Sequence, residues 1–64
     1  MSKKSLEIAL VEAQALSKEH PEIGVKVMDK KGCKAICTSS NWVYRERVLE
    51  GYHTVATYKG GVAL

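Results

Sequence analysis

The apolar positions of this chain change period along its length. At about 100° per residue, Leu6, Ala9, Leu10, Ala13, Leu16 and Ser17 fall on one broad stripe. That pattern predicts a helix over residues 5–19, with Ser5 or Ser2 as its cap and Pro21 as its stop. A second apolar strip, Ile8, Val11 and Ala15, runs along roughly the opposite side. A helix laid on one sheet needs a single apolar face. These three residues are therefore the first candidates for contact with a second copy or another protein.

From Val25 to Thr38 the period falls to two. Asp29-Lys30-Lys31-Gly32 offers Asp and Gly at the first and fourth positions of a type I turn. The predicted hairpin pairs Asp29 with Cys33, Met28 with Lys34, Val27 with Ala35, Lys26 with Ile36 and Val25 with Cys37. Val25, Val27, Cys33, Ala35 and Cys37 then face the core. Met28 and Ile36 face outward with Lys26, Lys34 and Thr38, and form a second candidate protein-contact pair.

Residues 39–50 mix signals. Ser39-Ser40-Asn41 supplies caps and Gly51 a stop, whereas Trp42, Val43 and Tyr44 favour strand; a short helix near 41–50 is the preferred assignment. Residues 52–58 read as a third strand closed by Lys59-Gly60-Gly61, and residues 1–4 and 62–64 are expected to fray. The whole is a single α+β domain over 1–64: an N-terminal amphipathic helix on a small antiparallel sheet of about three strands. The expected core is Leu6, Leu10, Ala13, Leu16, Val25, Val27, Ala35, Cys37 and Val55, with Trp42 and Tyr58 at least half buried. The order helix, strand, strand, strand resembles a double-stranded RNA-binding domain in element order; the C-terminal helix of that family has no counterpart, and none of its residues is carried over.

Charge and candidate chemistry refine this picture. A 64-residue chain buries only about 60% of its unfolded surface, so a partner layer has more to add than in a large domain. Residues 1–22 carry three lysines against four glutamates; residues 23–64 carry seven cations against three anions and all four aromatics. Lys26, Lys30, Lys31, Lys34, Arg45 and Arg47, with Trp42 and Tyr44 for stacking, are therefore the candidate contacts for RNA or single-stranded DNA, the alternative function.

Cys33 and Cys37, with His20 and His53, invite a metal assignment. On a strand, however, the two cysteine Cα atoms stand about 13 Å apart, too far for shared ligation or a disulfide. No phosphate loop, nucleophile elbow or paired-histidine motif is present, so neither catalysis nor a cofactor is expected. Glu7 and Glu12 break the apolar run that a secretory signal needs, and no apolar stretch is long enough for a membrane span. The expectation is a non-enzymatic cytoplasmic protein that acts through protein contact or self-association.

Overall fold

In the computed structural model, residues 2–64 are described, with side chains from residue 4 onward. Helix α1 (Ser2–Glu19) is followed by β1 (Gly24–Asp29), β2 (Ile36–Thr38), α2 (Asn41–Leu49), β3 (His53–Lys59) and β4 (Val62–Ala63). The strands form one antiparallel sheet in the order β2-β1-β3-β4. The class is α+β as expected, with a fourth short strand where fraying was expected. Of the terminal residues 1–4, Met1 lies outside the described residues and the others belong to α1. With α2 between β2 and β3, the element order departs from that of a double-stranded RNA-binding domain.

α1 packs its predicted stripe on the sheet. Ala9 and Ala13 form the core with Val25 and Val27, and Leu6, Leu10, Leu16, Ile23, Ala35, Cys37, Ala56 and Tyr58 close around it. Small residues on the contact side let helix and sheet approach closely. Ser5 does not cap the helix but lies inside it, where its Oγ accepts the Ala35 N–H at 3.2 Å.

That bond also explains a correction to the hairpin. Val27 pairs with Cys37, and Met28 with Ile36, two positions away from the expected register. The turn runs Lys30–Cys33, closed by the Cys33 N–H on the Lys30 carbonyl at 3.0 Å, with Gly32 at φ +81°. A positive φ at the third turn position suits a type II turn, which glycine adopts without steric cost. Lys30 to Ala35 therefore leave the ladder: Ser5 takes the Ala35 amide, and the Tyr52 hydroxyl donates to the Lys34 carbonyl at 3.1 Å. Cys33 belongs to this turn rather than to a strand. Because the slip is even, each strand residue keeps its face.

α2 is built as a well-capped helix. The Ser40 hydroxyl accepts the Val43 N–H at 3.3 Å. At the other end the Gly51 N–H reaches the Val48 carbonyl and the Tyr52 N–H reaches the Arg47 carbonyl, with Gly51 at φ +105°. This is the Schellman arrangement. Lys26 and Val27 alternate on β1, so Lys26 points away from α1; its Nζ sits 5.1 Å from the centroid of the Tyr44 ring. α2 therefore lies on the side of the sheet away from α1, where the long Lys26 side chain reaches it.

Two expected core residues are exposed. Val55 is the unpaired residue where Val27 opposes Ala56 but Met28 opposes Thr54, and this bulge takes it out of the core ladder. Trp42 occupies the first turn of α2 on its solvent side and is 72% exposed. Tyr58 is half-buried against the core, as expected.

Candidate functional site

Two apolar surfaces remain open, one on each side of the sheet. The first flanks α1. Ile8, Val11 and Ala15 are exposed as the helical spacing indicated. A groove of about 220 Å³ runs beside them, walled by Ser5, Ile8, Ala9 and Glu12 of α1 and by residues 34–37 leading into β2. Cys37 lies in its lining. Burial pushes this thiol above its ordinary pKa, and the Glu12 carboxylate pushes it further. A thiol held protonated is a poor nucleophile. Cys33 and Cys37 are both free and half-buried.

The second surface lies beside α2. Met28, placed on this side by alternation, is fully buried and so is unavailable as the outward contact that the sequence suggested. Its pairing neighbour Ile36 is half-buried. The open residues are others. Val48 and Leu49, with Tyr44 and Arg45, line a shallow groove of about 310 Å³ on one flank of α2. Val62 pairs with Lys59 on the same sheet face as Lys26. Leu64 continues this edge, its N–H donating to the Thr57 carbonyl at 2.8 Å, and alternation returns it to the side of Val62. Leu49 is 87% exposed and Leu64 81%.

This surface went unseen in the sequence because β4 did. The legible signal was Gly60-Gly61 between Lys59 and Val62. Both glycines have positive φ, as a two-residue type I′ hairpin turn requires.

The basic residues are not gathered on one face. Lys26 lies over Tyr44, and Lys30 lies over Tyr52 while donating to the Glu50 carbonyl at 2.6 Å. Arg47 is paired with Glu50 at 2.6 Å. Lys31 is exposed in the turn, Arg45 is exposed on α2, and Lys34 lines the groove beside α1. Trp42 stands on α2, so the aromatic and Lys34 belong to opposite sides of the sheet. His53 pairs with Asp29 at the sheet end and is exposed. Among the described residues no group of three or more His, Cys, Asp or Glu is placed to hold a metal ion, and no helix is long and apolar enough to cross a membrane.

Compared with family models, curated proteins and solved structures, the chain matches none of them.

Proposed function

We propose that this chain is a non-catalytic domain that acts by apolar contact with a polypeptide, and that its contact surface is the exposed flank of α2. The observation that carries this reading is the set of large exposed apolar residues on α2, Trp42, Val48 and Leu49, with a shallow groove that Tyr44, Arg45, Val48 and Leu49 line. Monomeric proteins seldom leave such a set together without a use for it. The grooves are wide and shallow, a shape suited to a side-chain ridge. Two free thiols fit a reducing compartment, and the cytoplasm is the proposed location.

A photoreactive residue in place of Leu49 tests the placement. It is expected to cross-link to a polypeptide at high salt as well as low, because apolar contact strengthens with salting-out ions. Adducts formed from Ile8 but not from Leu49 would move the contact surface to α1. Short RNA or single-stranded DNA, titrated at low ionic strength, is expected to leave the amide spectrum unmoved. Salt-sensitive shifts at Lys26, Lys30, Lys31, Lys34, Arg45 and Arg47 would instead establish nucleic-acid binding.

A further inference from the structure

The strand order leaves β2 at one edge of the sheet. Which of its backbone groups point outward follows from the far edge. The Leu64 N–H donates to the Thr57 carbonyl, so Thr57 turns its backbone groups toward β4 and away from β1. Its partner Lys26 then turns its own away from β3, toward β2. Neighbouring residues of a strand direct these groups to opposite sides. Lys26 therefore bonds Thr38 and Met28 bonds Ile36, while Cys37 between them sends both its N–H and its carbonyl off the open edge. Ala35 obeys the same parity, for its N–H leaves the ladder and goes to the Ser5 Oγ. Among the described residues, no group takes up the outward N–H or carbonyl of Cys37.

This edge adjoins the groove of about 220 Å³ between α1 and residues 34–37. Cys37 shares the α1 face with Val27. A residue set opposite Cys37 on an added antiparallel strand exchanges both hydrogen bonds with it. Its side chain then enters the same groove, over Ile8, Ala9 and Glu12. Glu12 is exposed and forms no ion pair with a described cation. An apolar wall ending in an uncompensated carboxylate suits a side chain with an aliphatic stem and a cationic head.

We infer that β2 accepts an extended segment of a partner polypeptide, antiparallel, with a lysine or arginine opposite Cys37. Main-chain bonds to an open edge supply affinity in this mode of recognition, and the groove supplies the choice of side chain. Ser5 already holds the Ala35 amide, so the recognised segment is short and centred on its basic residue. The residues on either side of that centre turn to the other sheet face, beside Ile36 and Thr38. A second copy is the poorer occupant, because its β2 would set a thiol rather than a cation opposite Cys37. The inference is separate from the α2 flank and does not depend on it.

The test titrates the isotope-labelled chain with a blocked peptide, Thr-Val-Lys-Val-Thr, and reads amide shifts. The Cys37 and Ile8 amides are expected to move. Glutamate in place of the central lysine is expected to weaken binding at least about fivefold, and Glu12→Lys to reverse that preference. Glu12 is exposed, so this variant should keep its circular dichroism. Methylating the backbone nitrogen of the central residue, which removes the donor to the Cys37 carbonyl, is expected to abolish the shifts. An unmoved Cys37 amide at millimolar peptide overturns the inference. So do shifts confined to α2, equal binding of the lysine and glutamate peptides, or an unchanged preference in Glu12→Lys.

Discussion

The two faces of the sheet are closed in opposite ways. On the α1 face, small residues bring an 18-residue helix close enough to bury Val25 and Val27 completely. On the other face a nine-residue helix is held by its ends and by tyrosine rings over lysines, and none of its residues is fully buried. The first face is held by packing and the second by caps and polar clamps. The closure is thus unequal, although Met28 is fully buried on the second face as well.

Substitutions on the two faces should separate most widely. Val27→Ala removes two methyl groups from a fully buried site and is expected to cost about 2–3 kcal/mol, read from the urea midpoint. Val62→Ala, at an exposed position of β4, is expected to change stability by less than about 0.5 kcal/mol. Comparable losses would show that Val62 is packed as tightly as Val27.

An intermediate effect is expected at Ser17, whose buried Oγ donates to the Gln14 carbonyl at 2.9 Å and accepts the Gly61 N–H at 2.9 Å. Ser17→Ala leaves a buried amide without that acceptor, at a cost of about 1–3 kcal/mol. Hydrogen exchange at Gly61 should quicken with it.

Ser40→Ala removes the cap of α2 and is expected to cost about 1 kcal/mol. Exchange should rise in the first turn of α2 while the amides of α1 keep their protection. A uniform rise across both helices would mean that the two faces unfold as one unit.

The smallest effect concerns Cys37. Its raised pKa means that the folded chain holds a proton that the unfolded chain has lost. Stability should therefore fall as pH climbs through the ordinary thiol range. Alkylation of Cys37 by iodoacetamide should run slower in the native protein than in urea at the same pH.

The α1 face was legible because its signals are local and redundant. Helical spacing selected Ala9, Ala13 and Ser17, and strand alternation selected Val25 and Val27. Even the mistaken hairpin register preserved those faces, since only an odd slip exchanges them. The α2 face depended on distant events. Ser5 withdraws the Ala35 amide from the ladder across 30 residues, and a bulge removes Val55 from its expected place. Alternation sends Met28 away from α1 and so gave no sign of its full burial, and the Trp42-Val43-Tyr44 start of α2 also reads as strand. The α1 half of the candidate contact set, Ile8, Val11 and Ala15, is exposed as the sequence indicated. Leu49, Val62 and Leu64 needed knowledge of where α2 ends and of the short strand β4.

The bonds from Ser17 and Gln14 to Gly61 span 44 and 47 residues and fasten the first helix to the final hairpin. During synthesis α1 emerges long before the segment that latches it, and its apolar stripe stays uncovered in the interval. The stripe of α1 is thus closed only when a residue 44 positions downstream arrives.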